Sequence, residues 1–150
     1  MIRRLQKEDL PTLASLFKQF WNEDSQAEAM QNQFDHMREE GHYILLGAFI
    51  DNRLVGSVMG IICRELYGPC QPFMLLENFI VDNALRGKGI GKKLIAEIEK
   101  IALEHNCKYT MLITDTHRTD ARAFYNSAGY NPDTHIGYKK KLVPKELPTD

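Results

Sequence analysis

Residues 76–93 read LENFIVDNALRGKGIGKK, a stretch in which an apolar run meets a glycine-rich basic turn and a helical pattern begins. The alternating apolar residues at its start are typical of a buried strand, and we predict a strand over 73–81. Apolar residues at helical spacing follow, and they are Ile90, Leu94, Ile95, Ile98, Ile101 and Ala102. The turn at 86–91 therefore joins a strand to a helix.

The composition of this turn predicts a phosphate site. Gly87, Gly89 and Gly91 allow the backbone to approach a ligand closely, because glycine has no side chain and tolerates unusual backbone angles. The amides that open a helix have no partner within the helix and favour an anion. Positive charge comes from the neighbouring side chains of Arg86, Lys88, Lys92 and Lys93.

Two other glycine motifs fit the turn poorly. The P-loop pattern GxxxxGK[ST] cannot be laid over these glycines, and Lys92 is followed by another lysine. The dinucleotide fingerprint needs GxGxxG at the start of a βαβ unit, whereas this turn reads GxGxG deep in the chain. Asp115 lies about where a ribose-binding acid could be, which keeps nucleotide binding as a minor alternative. A flexible turn without a ligand is the other alternative.

The sequence RGKGIG at 86–91, preceded by Val81, resembles the (Q/R)xxGx(G/A) acyl-CoA signature of the GNAT superfamily of N-acetyltransferases. A second block, ARAFYNSAGY at 121–130, resembles the helix and turn that end the same domain. The resemblance implies an α/β fold with a mixed sheet whose two central strands, here 73–81 and 109–114, splay apart. It also implies acetyl-CoA as the acetyl donor.

The resemblance further assigns CoA-binding residues to the strand and the turn. A backbone amide near Phe79 or Ile80 is expected to meet the oxyanion of the tetrahedral intermediate. The predicted cofactor-binding set is Phe79, Ile80, Val81, Arg86, Gly87, Lys88, Gly89, Ile90, Gly91 and Lys92.

Tyr125 occupies the place of the family's usual general acid, which protonates the departing thiolate of CoA. The alternative is a core aromatic at helical spacing. Phe124 is the better core residue, and Tyr125 points about 100° away from it around a helix of 3.6 residues per turn. Many family members have asparagine seven residues before this tyrosine, but Arg118 stands there in this chain, and we assign Arg118 no catalytic role.

Glu77 is the second catalytic candidate. It shares strand parity with Leu75, Phe79 and Val81, so we predict that it lies on an apolar face, where burial raises the pKa of a carboxyl group. The triplet LEN at 76–78 resembles the LED of polyamine-acetylating relatives, in which the glutamate accepts the proton of the amine, through water in our hypothesis. The alternative is a glutamate at the edge of the cleft that binds substrate or a nearby arginine.

The rest of the chain predicts one mixed α/β domain over 1–142 and a short tail over 143–150, which contains two prolines. Predicted strands lie at 2–5, 43–50, 54–63, 73–81, 109–114 and 135–142. Predicted helices lie at about 10–21 and 26–40, from Ile90 to about Ala102, and in a short segment capped by Thr119 and ended by Gly129. Asp51, Asn52 and Arg53 supply the turn of a hairpin.

A net charge of −1 predicts no general attraction to nucleic acid or to an anionic membrane. The N-terminus MIRRLQKEDLP lacks the apolar segment of a signal peptide, and three cysteines without metal-ligand spacing suit a reducing cytoplasm. The five histidines form no zinc pattern, so we predict no metal.

Acidic residues are concentrated in 23–40, and this region is either a solvated face or a wall for a cationic substrate. A homodimer is compatible with these features.

The leading hypothesis is an acetyl-CoA-dependent enzyme that transfers acetyl directly to a primary amine of a small molecule or protein. Polyamines, aminoglycosides, other small amines and protein amino groups all stay open as acceptors. The alternatives are a non-catalytic acyl-CoA sensor and, more weakly, a nucleotide-binding protein.

Overall fold

The computed structural model describes residues 1–142, so the predicted tail at 143–150 lies outside the described residues. The chain forms two compact units, Met1–Leu112 and a second unit that begins at Ile113, and each is described by itself. The first unit holds the sheet and three helices, and the second holds one helix. That 1–142 forms a single domain stays a prediction.

The mixed α/β class is confirmed, and most elements lie where the sequence pattern puts them. The helices are α1 Leu10–Trp21, α2 Ala27–Glu40, α3 Ile90–Glu104 and α4 Thr119–Ser127, with short 3-10 turns at Lys7–Asp9 and Asn83–Leu85. The strands are β1 Ile2–Arg4, β2 Tyr43–Ile50, β3 Arg53–Cys63, β4 Phe73–Val81 and β5 Thr110–Met111.

The five strands of the first unit form one sheet in the order β1-β2-β3-β4-β5. The first three pairings are antiparallel, and β4 pairs with β5 in parallel. The predicted hairpin between β2 and β3 is confirmed. Its two turn residues, Asp51 and Asn52, have φ angles of 47° and 62°, which is the left-handed geometry that a tight hairpin requires.

Helices cover both faces of this sheet. On one face α1 and α2 enclose a core cluster that consists of Leu5, Leu10, Leu13, Leu16, Phe34, Phe49, Leu54 and Ile80. On the other face α3 contributes the buried residues Leu94, Ile95, Ile98, Ile101 and Ala102. The α3 helix is therefore held by its apolar stripe, and its N-terminus follows directly from the turn at 86–89.

Glycines in β3 let α3 pack closely onto the sheet. A Cβ atom added at Gly60 would lie 2.7 Å from the sulfur of Met74 and 3.0 Å from Cδ1 of Ile98. A Cβ atom added at Gly56 would lie 3.0 Å from the carbonyl oxygen of Ile80 and 3.3 Å from Cδ1 of Leu94. These glycines weaken the strand pattern of the sequence, but they make room for the helix.

We expect Gly60→Val to destabilise the first unit by about 1 to 3 kcal/mol, since the added methyl groups overpack a filled core. Met74 and Ile98 are both fully buried, so neither side chain can turn into solvent. Gly137→Val is the matched control, because a Cβ atom there meets its nearest neighbour at 3.5 Å. Thermal unfolding of both variants checks the prediction, and equal stability of the two would contradict it.

Three details of the predicted secondary structure are wrong. The strand expected at 109–114 is limited to Thr110–Met111, because only these two residues have partners on β4. Residues 135–142 form no strand, and no described strand pairs with them, although Ile136 and Tyr138 alternate as a strand pattern requires. Arg118, rather than Thr119, is the N-cap of α4, and no side chain caps that helix.

Candidate functional site

The second half of β4 has a strand neighbour on one side within the described residues. The ladder to β5 consists of Met74 opposite Thr110 and Leu75 opposite Met111, and it ends there. The pairing with β3, in contrast, runs from Phe73 to Val81. Ending the parallel ladder after two residues agrees with the fold expected for central strands that splay apart.

A β-bulge interrupts β4 just after the ladder to β5 ends. Ser57 lies opposite Ile80 and Met59 lies opposite Glu77, so two residues of β4 face one residue of β3. Asn78 has a φ of 50°, the left-handed geometry that asparagine tolerates better than most residues. The extra residue reverses the side-chain parity of the strand. Glu77 therefore shares a face with Ile80 rather than with Phe79 and Val81.

The bulge overturns the predicted burial of Glu77. Its side chain is exposed, whereas its neighbour Leu76 is buried. Glu77 therefore does not lie buried among apolar side chains, as its strand parity had predicted. Glu77 is instead an acidic group that solvent can reach, at the point where β4 loses its second neighbour.

The turn after β4 has the backbone geometry that its glycines predicted. Gly87 and Gly89 have φ angles of 76° and 78°, a region that other residues adopt only with strain. A Cβ atom added at either position meets no atom within 4 Å, so the turn borders open space. A ligand can therefore approach the backbone closely on this side.

The N-terminus of α3 is open to an anion. Gly89 is the N-cap residue and no side-chain hydrogen bond caps the helix, so its first amides remain available. The side chains of Lys88, Lys92 and Lys93 are exposed beside these amides. Backbone dipole and side-chain charge together favour a phosphate group at this end of the helix.

The side chain of Arg86 is anchored to the strand that precedes the turn. Its Nε donates a hydrogen bond to the carbonyl oxygen of Val81 at 3.3 Å. The three residues of β4 assigned to cofactor binding differ in exposure. Ile80 is 2% exposed and packs in the core, so only its backbone can meet a ligand, while Phe79 and Val81 are half-buried.

Sequence reasoning missed Asp82, which is buried directly before the turn. Its Oδ1 accepts a hydrogen bond from the amide of Ala84 at 3.1 Å, and its Oδ2 accepts one from Arg53 at 2.9 Å. The amide of Asn83 donates to the side-chain oxygen of Gln19 at 3.1 Å, which ties the turn to α1. An aspartate that follows a strand and precedes a short helical turn is a capping signal, and the sequence contained it.

Tyr125 belongs to α4 in the second unit. Its side chain is half-buried, as is that of Phe124, and the two ring centroids lie 5.3 Å apart. The ring of Tyr130 lies 6.0 Å from that of Tyr125. Arg118 precedes the helix, and its amide donates to the carbonyl oxygen of Asp115 at 3.1 Å.

Within residues 1–142 no group of three or more His, Cys, Asp or Glu side chains is arranged to hold a metal ion. No helix in the same part of the chain combines the length and the apolarity that crossing a bilayer requires.

Comparison with known proteins agrees with the motifs and the fold. The model of the acetyltransferase (GNAT) family matches residues 10–130. The uncharacterized N-acetyltransferase YhfO of Bacillus subtilis is 28% identical over 95% of this chain and 97% of its own length.

Solved structures of two acetyltransferases have the same fold. Glucosamine-6-phosphate N-acetyltransferase from Arabidopsis thaliana superposes with a TM-score of 0.84 at 20% identity, over 95% of this chain and 98% of its own. An aminoglycoside acetyltransferase from an uncultured soil metagenomic sample, in complex with trehalose, has a TM-score of 0.81 at 21% identity, over 96% of both chains.

Proposed function

The chain belongs to the GNAT family of acetyltransferases and is an acetyl-CoA-dependent N-acetyltransferase, and from this premise we propose that it transfers acetyl directly to a primary amine. The observation that carries the proposal is the turn at 86–89, where two left-handed glycines lead into an uncapped helix. Family membership favours this enzyme over the two alternatives, an acyl-CoA sensor and a nucleotide-binding protein.

We propose that the pyrophosphate of CoA binds at the turn and at the first amides of α3. Support comes from the open space beside Gly87 and Gly89 and from the exposed lysines around them. Beyond Leu75, where the ladder to β5 has ended, backbone groups of β4 are proposed to bind the pantetheine arm. In this proposal Phe79, Ile80 and Val81 contribute mainly backbone.

The chemistry requires a neutral amine, a stabilised oxyanion and a protonated leaving group. The amine nitrogen attacks the thioester carbonyl carbon, and a C–N bond forms as the carbonyl oxygen becomes an oxyanion. A β4 amide near Phe79 or Ile80 is proposed to stabilise this oxyanion. Before this attack, Glu77 takes the proton of the incoming ammonium through water. After it, the C–S bond breaks and Tyr125 gives its proton to the thiolate, and the proton that the acetylated nitrogen loses returns to Tyr125 through solvent.

The acceptor is proposed to be an amine on a small molecule or a protein, in the cytoplasm. Three free thiols, Cys63, Cys70 and Cys107, support a reducing compartment.

The test of the proposed function is turnover of labelled acetyl-CoA with a panel of polyamines, aminoglycosides, simple alkylamines and lysine peptides. Acetylated product with one acceptor class supports the proposal. Tight CoA binding without transfer to any amine would instead indicate a sensor.

We expect Glu77→Gln to lower kcat near neutral pH by about 10²-fold, because the amide cannot accept the proton of the incoming amine. The rate should partly recover at high pH, where the amine is already unprotonated. Initial rates across a pH series measure both effects. Glu97→Gln is the control, since it removes a carboxylate from α3 that pairs with Lys100 at 3.7 Å. A raised KM with unchanged kcat and pH profile would show that Glu77 only binds the acceptor.

A further inference from the structure

Asp82 is a buried charged residue with no part in the proposed chemistry. Among the described residues, the buried polar or charged ones are Ser57 and Asp82, and Asp82 is 5% exposed. A carboxylate out of water is costly unless hydrogen bonds and an opposite charge compensate it. Asp82 lies between the end of β4 and the turn, so the bonds that compensate its charge can also connect these two segments.

Every hydrogen-bonding group of Asp82 is used, and the bonds run in two directions. Toward the sheet, its amide donates to the carbonyl oxygen of Val55 at 2.8 Å, and Oδ2 accepts from Arg53 at 2.9 Å. Toward the turn, Oδ1 accepts from the amide of Ala84 at 3.1 Å, and its carbonyl oxygen accepts from the amide of Leu85 at 2.9 Å. The residue thus ties the start of β3 to the first residues of the turn.

These bonds fix the direction in which the chain leaves β4. Arg86 and Gly87 follow Leu85 directly, so the path set by Asp82 also sets where the left-handed glycines and the first amides of α3 lie. A binding loop that is already ordered costs the ligand less conformational entropy than one that must be ordered on binding.

We propose that Asp82 is a positioning residue that holds the 86–89 turn in its CoA-binding conformation, with Arg53 compensating its charge. The inference rests on the proposed CoA site at this turn. It assigns a function to the ion pair between the buried Asp82 and Arg53, whose side chain is 69% exposed.

A positioning role for Asp82 and a purely electrostatic effect of its charge predict opposite changes in CoA affinity when the charge is removed. Asp82 places a negative charge near the proposed site of an anionic pyrophosphate, so its charge alone weakens CoA binding. Removing that charge should strengthen binding if electrostatics dominate. Removing it should weaken binding if the main role of Asp82 is to hold the turn.

The experiment compares Asp82→Ala and Asp82→Asn with the wild type by calorimetric titration of CoA and by steady-state kinetics. We expect Asp82→Ala to raise the Kd of CoA and the KM for acetyl-CoA about tenfold, as loss of a cap and a charge-assisted bond does elsewhere. The KM for the acceptor and kcat at saturation should change little. Hydrogen exchange of the Ala84 and Leu85 amides should accelerate without CoA present.

Asp82→Asn keeps the size of the side chain and an acceptor for Ala84, so its effect should be intermediate, and it carries the test if Asp82→Ala does not fold. Glu104→Ala is the charge control, because it removes an exposed carboxylate at the C-terminal end of α3. This helix has 15 residues, so its length of about 22 Å separates Glu104 from the turn.

Each of the following results decides whether Asp82 has the positioning role. A folded Asp82 variant that binds CoA as tightly as the wild type, or more tightly, overturns the positioning role and leaves the proposed function intact. A wild-type protein that binds no CoA overturns the proposed function, and the positioning role with it. Equal losses in the acceptor KM, kcat and the acetyl-CoA KM would show a general structural defect, which also contradicts the role.

Discussion

Gly89→Asp is expected to raise the Kd of CoA by more than about 10²-fold, since a carboxylate would occupy the helix N-terminus that is proposed to bind the pyrophosphate. The fold should tolerate the change. A Cβ atom at Gly89 meets no atom within 4 Å, and aspartate adopts left-handed angles such as the 78° of Gly89 more readily than most residues. Calorimetric titration with CoA measures the loss, and thermal unfolding reports on the fold.

Gly89→Asn separates the charge from the shape, because asparagine has nearly the same size and the same tolerance of left-handed angles. We expect it to weaken CoA binding far less than Gly89→Asp, by crowding the backbone without repelling the phosphates. Normal CoA affinity in a folded Gly89→Asp variant would place the pyrophosphate elsewhere on the protein.

The elements of this fold could be predicted because local patterns specify them. The apolar stripe of α3 and the strand β4 follow from hydrophobic periodicity. The hairpin at Asp51 and Asn52 follows from turn chemistry within a few residues. The αL conformation at Gly87 and Gly89 likewise follows from residue type, since glycine adopts it without strain. The backbone geometry of the turn at which we propose the anion site could therefore be predicted without tertiary information.

The features that the sequence did not predict depend on contacts between residues that are far apart in the chain. The bulge at Asn78 arises from the pairing of β4 with β3, and it reverses the parity from which the burial of Glu77 was predicted. The alternation in 135–142 is genuine, but alternation forms a strand only where another strand accepts its backbone hydrogen bonds. The charge of the buried Asp82 is compensated by Arg53, which lies 29 residues earlier.

Tyr125→Phe is expected to lower the rate of acetyl transfer by about 10² to 10⁴, the usual contribution of a general acid. The substitution removes a hydroxyl and keeps the ring, so the half-buried packing against Phe124 at 5.3 Å should persist and the stability should change little. Without the phenolic proton, the thiolate of CoA must leave unprotonated or find a proton in water. Single-turnover measurement of acetyl transfer reports the chemical step directly, because product release does not limit it.

Tyr130→Phe is the matched control for this prediction. It deletes the same hydroxyl from a ring whose centroid lies 6.0 Å from that of Tyr125, so it reproduces any general effect of making this aromatic group less polar. We expect Tyr130→Phe to keep near-normal single-turnover rates while Tyr125→Phe loses them, since only one of the two phenols matches the position of the family's acid. Equal rates for Tyr125→Phe and the wild type in the chemical step would assign the proton to another donor. The ring of Tyr125 would then be a packing element of α4.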